Sequence, residues 1–191
     1  MEQSRHLEVR PLTADDLAAV LEIQWLCHDA SRIESAQSFD AKRQASPTSC
    51  FVASLDGRSV GYLVAIPAKA GQPPPLNGAS CPVPRDADAL YLHDLAVHPE
   101  ARAAGVAVAL VRAFFDALGR QGFSQACLTA VNGSTAFWQR QGFRGAMPDA
   151  AAAGGMASYG EGAQYMNWRA DLSARSTRDQ QCQGRLLGSS V

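Results

Sequence analysis

Apolar and polar positions change period several times along this chain, and each change marks an element. Leu7 to Arg10 alternates and stops at Pro11, which predicts a short first strand. Thr13 follows as a helix cap. Asp15 and Asp16 then fall in a first turn, where carboxylates suit the positive end of the helix dipole. Leu17, Val20, Leu21 and Trp25 recur at helical spacing and are expected to face the core. The stretch from Cys27 to Ser31 breaks that helix, and a second is predicted over Ile33 to Arg43.

Ser49–Leu55 and Ser59–Ile66 read as strands joined at Asp56-Gly57, a hairpin signal, with Pro67 ending the second. Residues 67–88 are rich in Pro and Gly and predict a long insertion loop. A loop of that length lies over a site or is a plain surface insertion, and the sequence leaves both open. Ala89–Val97 is apolar on both sides apart from His93 and Asp94, as in a central strand covered on both faces. In an unbroken strand those two side chains point to opposite faces. Val106, Leu110, Ala113, Phe114 and Ala117 then recur at helical spacing up to Gly119.

Gln125–Val131 is the next strand, parallel to Ala89–Val97 because a helix lies between them. Asn132-Gly133 turns the chain. Ser134 is placed to cap a short helix that carries Phe137 and Trp138 and ends at Gly142. Phe143–Met147 reads as a strand, residues 147–158 as a flexible connection, and Gln164–Leu172 as the last strand. From Ser173 the chain turns polar, and 173–191 is expected to be a disordered tail.

With 191 residues, 47% apolar and 18% charged, the chain fits one globular domain spanning 1–172. A net charge of −1 offers no field for a nucleic-acid backbone. No apolar run approaches the roughly 20 residues that cross a bilayer, and the N-terminal stretch has no apolar signal region. These features predict a cytoplasmic protein. Its five cysteines are dispersed, which reads as free thiols rather than disulfides or a metal site. Oligomeric state is not legible, and a homodimer stays open.

The chemistry concentrates after the central strand. Arg102, Ala103, Ala104, Gly105, Val106 and Ala107 form a small-residue turn that opens a helix. Such a turn exposes backbone amides to an anion, and Arg102 adds a cation suited to a phosphate. No Gly-Lys-Ser/Thr follows and no GxGxxG is present, so neither common nucleotide loop applies. Small residues also open helices for packing reasons alone.

The turn resembles the pyrophosphate loop of the GNAT acyltransferase superfamily, Gln/Arg-x-x-Gly-x-Gly/Ala, matched at Arg102, Gly105 and Ala107. A second motif of that superfamily, an Asn followed by an aromatic pair and Gly-Phe, is matched at Asn132, Phe137-Trp138 and Gly142-Phe143. The resemblance implies an α/β fold with a mixed, mostly antiparallel central sheet. Helices cover both faces, and one parallel strand pair splays apart. It implies acetyl-CoA as co-substrate, with its pantetheine arm in the splay. Leu95, Ala96 and Val97 would line that arm and offer backbone groups to it. Asn132 and Ser134 would also contact it, beside Phe137 and Trp138.

Tyr91 to Val97 further resembles the central strand of arylalkylamine N-acetyltransferases, which carry two histidines spaced by one residue. His93 matches the second, and Tyr91 stands at the first. The resemblance therefore implies transfer of acetyl to a small primary amine by direct attack in a ternary complex. His93 is the candidate base, because a histidine titrates near pH 7. Its structural alternative is a buried, hydrogen-bonded histidine. Asp94 is a candidate for binding the amine, for serving as base, or for tying down a loop. Many relatives place a Tyr where this chain has Trp138, and that Tyr protonates the leaving thiolate. Tyr159 and Tyr91 are the candidates to substitute for it. Glu161, near Tyr159, and His28-Asp29 are candidate acceptor contacts. A CoA-binding sensor, or acylation of a protein amine, are the alternative functions.

Overall fold

The computed structural model describes residues 5–150 and 153–171; the expected tail lies outside the described residues. Strand β1 is Leu7–Pro11, β2 Cys50–Leu55, β3 Arg58–Ala68, β4 Ala89–Val97, β5 Gln125–Ala130, β6 Arg144–Gly145 and β7 Gln164–Arg169. Helix α1 is Leu17–Cys27, α2 Ala36–Ala45, α3 Val106–Arg120, α4 Thr135–Arg140 and α5 Ala153–Ala157.

The strands form a single mixed sheet in the order β1-β2-β3-β4-β5-β7-β6. Only β4 and β5 run parallel among its paired strands. Asp56 and Gly57 both take positive φ, 53° and 82°, as the tight β2–β3 hairpin requires. Helix α3 packs on one face over Leu63, Ala65, Leu90, Leu92 and Leu128, joined there by Trp138 and Phe143. Val20, Ile23 and Phe39 of α1 and α2 cover Tyr62, Val64 and Ala96 on the other. The expected layered α/β architecture is the one observed.

Several elements differ from expectation for local reasons. Trp25 is 67% exposed, and Ile23 and Gln24 supply the buried face of α1 with Val20. Gln24 is buried because it brackets the Glu34 backbone: its Nε2 donates to Glu34 O at 3.0 Å, and its Oε1 accepts from Glu34 N at 2.7 Å. That bracket keeps residues 33–35 out of helix, so α2 starts after Ser35, whose Oγ accepts from Ser38 N at 3.2 Å. Pro67 does not stop β3, which continues to Ala68 opposite Ala89. The strand expected at Phe143–Met147 shortens to Arg144–Gly145, and the connection after it contains α5. Ser134 precedes α4 but makes no side-chain capping bond.

Candidate active site

Two irregularities in β4 build the site. The first is a bulge. Val64 pairs with Asp94 but Ala65 pairs with Leu92, so His93 is one extra residue in the strand. Alternation therefore breaks, and His93 and Asp94 point to the same side, toward α1 and α2. This corrects the expectation of opposite faces. Leu92 and Leu95, on either side, both face α3.

The second is the splay. Strands β4 and β5 pair only from Leu90 to Leu92 against Ala126 to Leu128. Beyond that they separate, and residues 93–97 of β4 leave β5. A cavity of about 280 Å³ opens there. It is lined by Leu95, Ala96 and Val97 of β4, by Arg102 and Ala107 of the turn, and by Asn132, Ser134, Phe137 and Trp138 beyond β5. Ala103, Ala104, Gly105 and Val106 connect these walls. Ala103 and Gly105 take positive φ, 67° and 79°, which bends the chain into the first turn of α3. A side chain added at Gly105 would meet nothing within 4 Å, so the turn faces open space. A helix start keeps its first amides free of intrahelical partners, and those amides lie at this turn.

The other end of the cavity is polar and tightly wired. His93 Nε2 lies 2.7 Å from Glu34 Oε1, and His93 Nδ1 lies 3.5 Å from the Tyr159 hydroxyl. Its side chain is fully buried. Glu34 Oε2 accepts from Lys42 Nζ at 2.7 Å, from Ser38 Oγ at 2.9 Å, and from Asn77 N. Burial alone would push the Glu34 carboxyl up. Its contacts with His93 and Lys42 outweigh burial and hold it well below the usual carboxylate range. The Tyr159 hydroxyl accepts from Tyr91 at 3.1 Å and donates to Pro74 O at 2.8 Å. Burial drives that hydroxyl well above its usual range, so it stays protonated. Tyr91 does not line the cavity, but its hydroxyl meets two residues that do, Thr129 Oγ1 at 2.7 Å and Tyr159 at 3.1 Å.

Asp94 belongs to a second chain of bonds. Its Oδ2 accepts from Tyr62 OH at 2.6 Å, and its Oδ1 lies 3.0 Å from His28 Nε2. His28 and Asp94 both line the cavity. Glu161 stays exposed.

Residues 69–88 border the polar end. Leu76 lines the cavity, and Leu76 N donates to Ser158 Oγ at 3.1 Å. Gly71 N donates to Tyr165 OH at 2.7 Å, and Asn77 Oδ1 accepts from Ser35 N at 2.9 Å. The long insertion is therefore tied over the site. Arg32 straps the mouth: Nε donates to Tyr159 O at 3.0 Å, and Nη1 to Asn132 Oδ1 at 2.8 Å and Asp29 Oδ2 at 2.9 Å.

The model of the acetyltransferase (GNAT) family matches residues 17–143, from α1 through both cavity walls. This chain belongs to that family. Its chemistry is acyl transfer from acetyl-CoA. Trp138 departs from the thiolate-protonating Tyr of many members. It is 6% exposed and meets Phe143 edge-on at 5.6 Å between ring centroids, so it serves the core while lining the cavity. No curated protein matches this acetyltransferase in sequence. Solved structures match it in fold. Ard1 of Thermoplasma volcanium is 16% identical with a TM-score of 0.64, covering 86% of this chain and 97% of that one. The ribosomal-protein-S18-alanine N-acetyltransferase of Escherichia coli is 18% identical with a TM-score of 0.62, covering 86% and 94%. The PaiA N-acetyltransferase of Thermoplasma acidophilum, solved with coenzyme A, is 14% identical with a TM-score of 0.60, covering 86% and 99%.

Motif reading did not single out Glu34, Lys42, Arg32 or Leu76. Glu34 carries one sequence signal, an acidic residue directly before a Ser that caps a helix.

Proposed function

We propose that this acetyltransferase moves an acetyl group from acetyl-CoA to the primary amine of a small molecule, by direct attack in a ternary complex. The observation that carries this reading is the narrowing of the cavity beside His93 by Leu76 and Arg32. A protein or peptide tail needs a wide groove beside the thioester, whereas Leu76 and Arg32 line the cavity next to His93, Tyr159 and Asp94 and narrow that end. The loop over 67–88 is thus part of the catalytic domain.

In this reading the amides around Gly105, with Arg102, hold the pyrophosphate. Backbone of Leu95 and Val97, on the edge of β4 that β5 leaves, pairs with the pantetheine arm and polarises the acyl carbonyl. Asn132 and Ser134 contact the same arm, and Ala96, Phe137 and Trp138 shape its walls. Ionised Glu34 keeps the proton of His93 on Nε2, which leaves Nδ1 as the basic nitrogen toward Tyr159. His93 takes the proton that the amine loses on attack, and Tyr159 is the hydroxyl that returns one to the thiolate.

Release of free thiol from acetyl-CoA over a panel of small amines and short peptides tests this function. Turnover with a small primary amine, and none with peptide N-termini, is the expected result. Preference for peptides overturns it. Binding of CoA without turnover on any amine would instead favour a sensor, the reading that Trp138 invites.

Gly105→Ala tests the cofactor loop separately. A residue other than Gly at φ 79° costs about 1–2 kcal/mol of stability, and the protein itself leaves room for the methyl group. Calorimetric affinity for CoA is expected to fall at least roughly tenfold (about 1.4 kcal/mol), because the methyl projects into the space the pyrophosphate needs. Unchanged affinity would place the pyrophosphate elsewhere.

A further inference from the structure

The cavity contains two histidine–carboxylate pairs, and they differ in one respect. His93 has Nε2 engaged by Glu34, its Nδ1 lies 3.5 Å from the Tyr159 hydroxyl, and its side chain is sealed from solvent. His28 has only Nε2 engaged, by Asp94. Its Nδ1 is buried and has no hydrogen-bond partner among the described residues. An unpaired buried ring nitrogen normally costs free energy, so it marks a place where a donor is missing. The rest of the His28 ring keeps a narrow path to water, with 11% of the side chain exposed.

We propose that His28, oriented by Asp94, receives the acceptor's ammonium group at Nδ1 and removes its first proton. This rests on the amine acetylation proposed above. A primary amine arrives at pH 7 as an ammonium ion and has no lone pair to attack with. Two protons must leave its nitrogen before an amide results. The first goes to His28 Nδ1, and the imidazolium is balanced by Asp94 3.0 Å away. The neutral nitrogen then bonds to the acyl carbon as the carbon–sulfur bond breaks. The second proton leaves through His93 and Tyr159 and ends on the sulfur, which departs as a thiol. His28 returns its proton to solvent, so each cycle releases one proton.

The surroundings suit that role. Asp94 on β4, Asp29 and Arg32 from the turn after α1, Cys27 on α1, and Arg102 beside Cys27 are the titratable and charged groups around His28. Burial works against a charge on His28, but Asp94 outweighs it and raises the imidazole above its ordinary value. Tyr62 OH fixes the far oxygen of Asp94 at 2.6 Å, so the carboxylate is held by a bond on each side. Asp94 is a positioning residue here, since it acts through His28.

The test compares 2-phenylethylamine, or whichever primary amine the parent enzyme acetylates best, with its analogue carrying two fluorines on the carbon beta to nitrogen. The shapes are nearly equal, but at pH 8 the difluorinated amine is largely neutral while the ordinary amine is still mostly ammonium. His28→Ala and His28→Gln are expected to lower kcat/KM for the ordinary amine about 100-fold. The fluorinated amine should lose less than about threefold, and affinity for CoA should stay at the parent value. Asp94→Asn should show the same split. An equal loss on both amines, or no loss on either, overturns the role of His28 while leaving amine acetylation intact. A parent enzyme that acetylates no amine overturns the function itself and this role with it.

Discussion

Glu34→Ala is expected to lower the unfolding free energy by about 3–5 kcal/mol, the cost of leaving buried charge without its partner. Its side chain is 2% exposed, and Lys42 beside it is 4% exposed. Alanine would leave the buried Lys42 ammonium with only the Ser38 oxygens and no counter-charge, and would remove the carboxylate opposite His93. It would also delete the acceptor for Asn77 N, one of the bonds that hold residues 69–88 down. Chemical denaturation measures the first effect, and proteolysis of the Pro-rich loop measures the second. Replacing both partners, Glu34→Leu with Lys42→Met, should recover part of the stability, because apolar side chains of similar volume need no counter-charge. It should not recover the loop, whose anchor stays lost. A domain of this kind is stable by only about 5–15 kcal/mol, so the single change approaches the limit of what the fold tolerates.

His93→Ala is expected to lower turnover by about 10²–10⁴-fold with CoA affinity nearly unchanged. The two quantities separate because His93 sits at the acceptor end, while the walls proposed for CoA lie at Arg102 to Ala107 and Asn132 to Trp138. Glu34 and His93 share a 2.7 Å contact, so their effects on turnover should not add. A double variant that loses no more turnover than His93→Ala alone would show them acting as one unit. Equal kinetics in His93→Ala and the parent would reduce His93 to a structural residue. That outcome would shift the second proton to Tyr159 or to water.

Much of the frame was legible because it follows from repeating patterns. The Asp56-Gly57 hairpin, the α3 stripe and the parallel relation of β4 to β5 all come from period and connection. What stayed hidden comes from single irregular residues. A bulge is one extra residue in a strand, and Tyr91 to Val97 reads as regular alternation with or without it. Parity therefore put Asp94 on the wrong face from His93. Glu34 was absorbed into a helix because nothing nearby in sequence announces the Gln24 bracket, formed ten positions upstream. Trp25 shows the converse error. Its spacing matches a core stripe, yet α1 buries Ile23 and Gln24 instead, because the bracketed chain after α1 must pass on that side.

The brief pairing of β4 with β5 has a consequence for the life of the protein as well as for its chemistry. Among the described residues, only Leu90, Tyr91 and Leu92 pair one half of the sheet with the other, and the seam opens from His93 onward. A pantetheine arm lying in that gap would complete the seam from both sides, as a missing strand does. Co-substrate then adds to folding stability by mass action, about 2.7 kcal/mol at a hundredfold excess over its dissociation constant. Molecules left empty would open and be degraded sooner than loaded ones. Abundance of the enzyme would thus rise with the supply of acyl-CoA.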